Sequence, residues 1–558
     1  MRYPSKTTKR GDKNVKCSSA GGWFEKSIKF SLFALSGVAL LAAADERDRD
    51  DKPVPLTVPK AVCGPHDHPE TALQGQVPAA MRAAGFKGFN CNLELLGQSR
   101  GNGANWQTTQ FSQRSRDGRN DDDDRRDDED GRKTSRVCGY HGTASPALSA
   151  PGRTQFGVPV LDLTNPRAPT PTAYLTTSSM LDPWESLKVN ERRQLLAADN
   201  GQNGGGGPEV DVYDLSDDCR FPQLLANAPV GTGSDGGFVS PVTPIGHEGS
   251  FAPDGLTYYI GDTRNRSYHA VDVSDPTKPK MIATFDMKTL GLASHGLSVS
   301  EDGNRAYVVT PGLNLTGVAV TPTNGFVILD TSEVQARKPN PQIRVISTFL
   351  FLDGSVAQHT IPVRIKGKPY IIHVDEGGSG GIFLAGWQAA CAANLPVFPM
   401  PRIVDISDEK NPKQVSRVML ETHDPANCAK VLPDLVGLSI FTYGSHYCSV
   451  DNRHNATTLA CGFFNSGIRI FDIRDPVRPK EMAYFNPAGA TTVSAGSNHT
   501  RGGNFVAGGP DWCSAQVHLD ARQGTVWSTC QDNGVLALKF RKGVWPFPES
   551  RTPPGAQN

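Results

Sequence analysis

Val271-Asp272-Val273-Ser274-Asp275-Pro276 sets two β-branched residues around an aspartate and follows them at once with a Ser-Asp-Pro turn. Such a run is a short strand stopped by residues that start turns. The same order stands at Val160-Leu161-Asp162-Leu163-Thr164-Asn165-Pro166 and Val212-Tyr213-Asp214-Leu215-Ser216-Asp217. It returns at Ile328-Leu329-Asp330-Thr331, Ile403-Val404-Asp405-Ile406-Ser407-Asp408 and Ile470-Phe471-Asp472-Ile473-Arg474-Asp475-Pro476. The aspartates are spaced by 52, 58, 58, 75 and 67 residues, and a degenerate copy, Val535-Leu536-Ala537-Leu538, lies 65 beyond the last. Periods of this size made of short β runs predict a propeller or a related array.

Each period has a consistent internal order. A first strand leads to a turn such as Pro253-Asp254-Gly255 or Glu301-Asp302-Gly303, and a second strand follows (Tyr258-Tyr259-Ile260; Ala306-Tyr307-Val308-Val309). The aspartate-bearing strand is third, and a fourth apolar segment such as Met281-Ile282-Ala283-Thr284-Phe285 follows it. Four short strands make one blade. The expected fold is all-β, a seven-bladed β-propeller with blades beginning near Phe89, Trp184, His247, His295, His359, His446 and Trp512. Little chain remains after Phe540 for a last outer strand, so Val54-Pro55-Leu56-Thr57-Val58 is expected to supply it, closing the ring with N- and C-terminal strands. Residues 45–85 are thus an extension that contributes the closing strand, 86–545 the propeller and 546–558 a tail.

The chain resembles the LVIVD-repeat proteins, exported bacterial β-propellers named for the third strand. The resemblance covers roughly residues 60–540 through the six copies quoted above. It implies a fold and an envelope location, and carries no established reaction and no functional residues.

Gly and Pro make up 99 of 558 residues, which fits many turns and opposes a long-helix architecture. Lys plus Arg and Asp plus Glu each number 57, so the chain lacks the basic footprint of a nucleic-acid binder. Residues 1–29 hold eight basic and two acidic side chains. An uncharged run from Phe30 to Ala44 follows, ending in three alanines. That is the order of a secretory signal, so residues 1–44 are expected to be removed and the mature protein to be periplasmic or extracellular, with no transmembrane segment. Removal leaves a net charge of −6 and ten cysteines, an even number suited to disulfides. The expected pairs are Cys448–Cys461, Cys513–Cys530 and Cys91–Cys138 across hairpins, then Cys391–Cys428, with Cys63–Cys219 left by elimination. Residues 113–136 have no apolar residue except glycine and read as a disordered, solvated insertion. Gly377–Gly381 matches Gly-x-Ser-x-Gly by letter, but Ile382-Phe383-Leu384 after it reads as strand, so Ser379 is a turn residue rather than a nucleophile.

His247 and His295 each precede the Asp-Gly of a turn by seven and eight residues, His359 precedes Gly367 by eight, and His446 opens the sixth blade. Four consecutive blades therefore offer histidine at one position on the strand that faces the channel. Neutral imidazole is the commonest metal ligand and suits Fe, Cu or Zn, so His247, His295, His359 and His446 are the candidate ligands. Glu248, Glu185, Asp375 and Glu376 are the acids placed to orient them or to act on a substrate. By architecture alone the set is similar to that of carotenoid-cleavage oxygenases and of copper-dependent methanethiol oxidases, whose motifs the chain lacks. Repetition alone explains the register equally well, each histidine bonding the next blade's backbone. The leading reading is a monomeric, metal-dependent enzyme, oxidative or hydrolytic, taking a small-molecule ligand at the channel mouth. The alternative is an envelope module presenting loops to a protein or glycan partner.

Overall fold

A computed structural model describes residues 56–114, 134–143, 155–199, 209–229, 246–312, 314–438, 440–494, 497, 499 and 507–551. The expected signal, most of the charged insertion and the end of the tail lie outside the described residues.

Seven antiparallel sheets of at least four strands form a ring. The first blade is Thr108–Arg114, Thr134–His141, Val158–Asp162 and Thr170–Leu175, and the second Lys188–Asn190, Leu195–Asp199, Glu209–Asp214 and Gln223–Pro229. The third is Gly246–Phe251, Thr257–Asp262, Ser267–Asp272 and Lys280–Asp286, and the fourth Leu297–Val299, Arg305–Thr310, Asn324–Asp330 and Arg344–Phe351. The fifth is Ser355–Ile365, Lys368–Gly377, Pro401–Asp405 and Lys413–Arg417, and the sixth Cys448–Val450, Thr458–Gly462, Ile468–Asp472 and Lys480–Asn486. The seventh is His518–Asp520, Thr525–Cys530 and Gly534–Phe540, completed by Leu93–Ser99. First strands of successive blades touch one another, which places them around the axis.

The repeated aspartate caps a turn in every copy. Asp162, Asp214, Asp272, Asp330, Asp405 and Asp472 each accept, at 2.8–3.0 Å, from the backbone N–H two residues on. This bond ends the third strand and starts the turn that aims the fourth. Apolar side chains of these strands interdigitate between blades: Ile361, Ile372 and Ile403 of the fifth pack with Leu459 and Phe471 of the sixth. Both faces of a middle strand are buried in this way, so its sequence reads as a near-continuous apolar run.

Two expectations about the chain ends are corrected. Phe89–Cys91 does not begin the first blade; it pairs with Lys480–Asn486 as a fifth strand on the sixth. The closing strand is Leu93–Ser99 on Gly534–Phe540, not residues 54–58. The backbone N–H of Val58 instead bonds the Met419 carbonyl at 2.8 Å, because the arm before the closing strand runs along the fifth and sixth blades. The charged insertion begins later than expected, since Gln113 and Arg136 pair within the first hairpin.

The cysteine pairs follow from this path. Cys448–Cys461, Cys513–Cys530 and Cys391–Cys428 form as expected. Cys91 is carried to the sixth blade and bonds Cys63, and Cys138 bonds Cys219 of the second blade, in place of Cys91–Cys138 and Cys63–Cys219. The Cys63–Cys91 and Cys138–Cys219 bonds close 28 and 81 residues, so each restricts the unfolded chain substantially. Among the described residues no helix is long and apolar enough to cross a membrane.

Two excursions from the fifth blade, a helix at Leu384–Ala392 and short turns over Glu421–Leu435, are tied by Cys391–Cys428 and share a core of Trp387, Phe398, Val431, Leu435 and Tyr443. His423 is buried beside this core, stacked on Phe463, with its Nδ1 accepting from the Leu420 N–H at 3.1 Å. Burial, then the charge of Arg469, pushes its pKa down from 6.5 to about 3. The folded ring stays neutral while the unfolded ring takes a proton below pH 6.5. Stability is therefore lost as pH falls from about 6.5 toward 3, by at most about 1.4 kcal/mol per pH unit from this group. In His423→Asn, whose amide oxygen can replace Nδ1 as acceptor, denaturant unfolding across that window should show a slope shallower by up to one proton.

Candidate functional site

The site is assembled from the segments that enter the first strands. Trp184 and Glu185 precede the second blade, His247 lies in the first strand of the third, and His295 precedes the fourth. Gln358 lies in the first strand of the fifth blade, Glu376 in its second, and His446 just before the sixth. A parallel bridge between Glu185 and Glu248 locks the second and third blades together here.

Carboxylates and imidazoles alternate across the axis. His247 Nε2 is 2.8 Å from Glu185 Oε2, and His446 Nε2 is 3.3 Å from Glu185 Oε1 and 3.1 Å from Glu376 Oε2. His295 Nε2 is 3.8 Å from Glu376 Oε1, and its ring centre is 4.0 Å from that of His247. The Gln358 amide donates to Glu185 Oε2 at 2.6 Å. Glu185, His247 and His295 each offer a ligand atom within 4.8 Å of the others.

The second nitrogen of each ring is informative. His295 Nδ1 lies 2.7 Å from the Ala357 carbonyl and His446 Nδ1 2.9 Å from the Ser514 carbonyl. A carbonyl oxygen only accepts, so each Nδ1 carries the proton and, in the neutral ring, Nε2 is the lone pair. His247 Nε2 has two neighbours of opposite demand: the Trp184 indole N–H at 3.2 Å, which needs a lone pair there, and Glu185 Oε2 at 2.8 Å, which needs a proton or another cation between them. Three inward-facing Nε2 atoms thus meet two carboxylates, which draw positive charge to this point: a proton on His446 Nε2 that a metal ion would replace.

Burial and charge separate the groups. Burial opposes the Glu185 charge, but His247 and His446 hold its pKa well below the usual carboxylate range. Burial raises Glu376, with His446 pulling the other way. Burial, then His247, pushes His295 down to about 3. Burial works against a charge on His446, yet Glu185 and Glu376 raise it to about 10. Glu248 is pushed up to about 7 by burial, partly countered by Lys188.

An aromatic roof closes one side. Trp106, Trp184, Phe464 and Trp512 form one buried cluster with Phe441 packed on it. The Trp106 and Phe464 rings lie 5.3 and 5.2 Å from that of His446. The Trp106 and Trp512 indole nitrogens are buried without a hydrogen-bond partner.

Residues 258–287 match the family model of the LVIVD repeat. The chain is a β-propeller, and this segment of its third blade matches that repeat. No curated protein matches it. It is similar to the solved structure of a protein from Lactobacillus plantarum (10% identity, TM-score 0.44), over 70% of this chain and 87% of that one. It is also similar to the hydrazine synthase of Kuenenia stuttgartiensis (11%, TM-score 0.43), over 74% of this chain and 94% of that one. The periplasmic gluconolactonase PpgL of Pseudomonas aeruginosa is matched at 13% identity and TM-score 0.39, over 69% of this chain and 92% of that one.

In this propeller the expected residues divide into two sets. His247, His295, His446, Glu185 and Glu376 converge. His359 does not join them: its Nε2 lies 3.3 Å from both the N–H and the carbonyl of Cys448, as a histidine bonding the neighbouring blade would. Glu248 stands beside the cluster, paired with Lys188 at 3.1 Å. Asp375 points away from the axis and holds His373, Asn324 and Arg402 between blades. Ser379 sits in a tight turn where Gly378 and Gly381 bond each other. Gln358, Lys188, Tyr447 and Trp106 were not foreseen, although Gln358 and Tyr447 adjoin predicted histidines in the chain.

Proposed function

We propose that the axial cluster is a metal centre, in which His247, His295, His446, Glu185 and Glu376 hold one divalent transition ion that acts on a small molecule. The observation that carries this is the orientation of the rings, whose Nε2 atoms converge on two carboxylates across the axis while backbone carbonyls hold Nδ1 of His295 and His446. Backbone carbonyls that fix Nδ1–H and turn Nε2 inward are the usual second contacts of metal-bound histidine. A nitrogen and oxygen donor set without thiolate suits Zn, Fe or Cu. The bound ion would supply a Lewis acid or an activated water. Around it, the chain's own groups keep the reaction dry through the aromatic roof and orient Glu185 through Gln358. Export to the periplasm or exterior is part of the same reading, and five disulfides support it.

Elemental analysis of protein folded in the presence of Zn, Fe or Cu salts and then desalted is the test. About one ion per chain is expected, and a folded His295→Ala/Glu185→Gln variant should retain less than a tenth of it. Folded wild-type protein that retains no metal sinks the reading and leaves a metal-free binding module.

A further inference from the structure

The ends of the blades opposite the axial cluster carry the first hairpins and the turns between third and fourth strands. One such turn recurs: Asp275-Pro276-Thr277-Lys278-Pro279-Lys280 in the third blade and Asp475-Pro476-Val477-Arg478-Pro479-Lys480 in the sixth, with Asp408-Glu409-Lys410-Asn411-Pro412-Lys413 in the fifth. The turn is stiff. Its aspartate side chain accepts from the N–H two residues on at 3.0–3.1 Å, and the aspartate carbonyl accepts from the N–H three residues on. Proline fixes φ within it, so its cations are presented at low entropic cost.

At two junctions the hairpin of the preceding blade directs a cation into this turn. Arg193 of the second blade donates to the Val273 and Ser274 carbonyls of the third at 2.6 and 3.0 Å. Arg305 of the fourth pairs with Glu409 of the fifth at 2.9 Å. Between the fifth and sixth blades the pattern breaks. Pro476 stands where the fifth blade has Glu409, and the hairpin tip offers Lys366. Neither Lys366 nor Lys480 has an ion-pair partner among the described residues. The turn, the tip and the C-terminal tail instead border a cavity of about 400 Å3, lined by the cations Lys366, Arg474, Arg478 and Lys480 and the acids Asp472, Asp475 and Glu549.

The acids of this cavity are already engaged. Asp472 takes the Arg474 N–H at 3.0 Å and its guanidinium at 2.8 Å. Asp475 caps the turn through the Val477 N–H at 3.0 Å. Glu549 adds to the field that holds the charge on Arg474, whose guanidinium lies 3.7 Å from the centre of the Phe547 ring. The tail that carries Phe547 and Glu549 is pinned by Ser550, whose Oγ meets Thr457 Oγ1 at 2.7 Å and Asp451 Oδ2 at 2.8 Å. Two ammonium groups without a carboxylate, and Arg478 beside them, therefore line one fixed space.

We propose that this cleft binds the phosphate group of a phosphate monoester through Lys366, Arg478 and Lys480. Two uncompensated ammoniums favour a dianion over a carboxylate, and a guanidinium fork suits a tetrahedral oxyanion. The volume falls within the range of small-molecule sites, about 300–1,000 Å3, so it admits part of the esterified alcohol as well. Nothing in the proposal depends on the axial metal centre.

The experiment is isothermal titration of the full chain with glycerol 3-phosphate at constant ionic strength, with sodium chloride and sodium acetate as references. Saturable binding is expected, weakening as salt is raised. The dissociation constant should rise about fivefold in Lys366→Met and in Lys480→Met, and further in the double variant. Both lysines are exposed, so these variants keep the fold. Lys278→Met/Lys280→Met, in the matching turn of the third blade, should leave the affinity unchanged. Cosedimentation with vesicles containing phosphatidic acid, lost in the Lys366→Met/Lys480→Met variant, would place the ester on a lipid headgroup; its absence leaves a soluble ester. Equal affinity in wild type and the Lys366→Met/Lys480→Met variant overturns the cleft and puts the phosphate elsewhere, the axial ion included. An equal loss in the third-blade variant, or acetate binding as tightly as the ester, overturns it too. Metal content is not read in any arm, so this proposal and the axial centre fail separately.

Discussion

Arg469→Met is expected to lower the unfolding free energy by about 3–5 kcal/mol, read from denaturant midpoints. Arg469 is fully buried in the third strand of the sixth blade, where its Nη1 bonds Glu481 Oε1 at 2.6 Å and its Nη2 pairs with Glu70. Both carboxylates depend on that guanidinium. The remaining Glu481 oxygen takes the Gln74 amide at 2.8 Å, and Glu70 takes the Gly75 N–H at 3.1 Å. Burial, offset by Arg469 and reinforced by Glu481, already pushes Glu70 up to about 7. Methionine fills the space but leaves two buried acids facing each other. Breaking one side of a buried ion network costs far more than the net value of the network. The loss should be local at first, because Glu70 and Gln74 belong to the arm that leads through Cys63–Cys91 to the closing strand. Limited proteolysis should therefore cut between residues 64 and 84 in the variant before the blades are attacked. A variant as stable as wild type, with an intact arm, would show that the clasp is incidental.

The arm also shows where sequence reading stops. The third strands are legible because each carries two signals: an apolar run buried on both faces, and an aspartate whose carboxylate must bond the N–H two residues on. The closing strand carries neither. Leu93–Ser99 is an outer strand whose residues after Leu93 are half-buried or exposed, and Glu94 and Leu95 lie at the surface, so no alternation marks it. The stretch Val54-Pro55-Leu56-Thr57-Val58, with three β-branched residues in five, outweighs it on pattern alone. Both misassigned disulfides follow from that error, since spacing pairs cysteines by hairpin while the chain carries Cys91 to the outer edge of the sixth blade.

The candidate site was legible to the same degree and for a similar reason. Repeat register places histidine at the axis in four blades, and three of the four meet. His359 departs because it is in ladder with Val374 inside the long first strand Ser355–Ile365, whereas His295 and His446 stand before theirs and His247 falls where the register shifts between Gly246 and Gly249. A shift of this kind turns a side chain to another partner without changing its distance from the turn glycine. Glu185 was legible as an acid beside the predicted start of the second blade, whereas Gln358 belongs to no motif, and Trp106 and Phe464 carry no pattern that separates them from ordinary core residues.

The second large effect concerns a position where the ring has no room. Gly296 enters the first strand of the fourth blade, and a Cβ there would stand 1.9 Å from both the Gln358 carbonyl oxygen and Glu248 Oε2. No rotamer relieves the backbone contact, so the fourth and fifth blades must separate. Overpacking of this kind costs about 1–3 kcal/mol, and more where main chain must move. The neighbours displaced are the ones that set the axial cluster. Ala357, next to Gln358, holds His295 Nδ1 at 2.7 Å, and Gln358 itself holds Glu185 at 2.6 Å. Gly296→Ala should therefore lower Tm and strip metal together, while Gly317→Ala, whose Cβ would meet nothing within 4 Å, should do neither. The pairing of readouts matters. If Gly296→Ala loses stability but keeps its metal, the ion is held away from the Ala357–Gln358 edge, and His295 and Glu185 are not its ligands. If it loses metal with Tm nearly unchanged, the close approach of these two blades serves the site more than the fold.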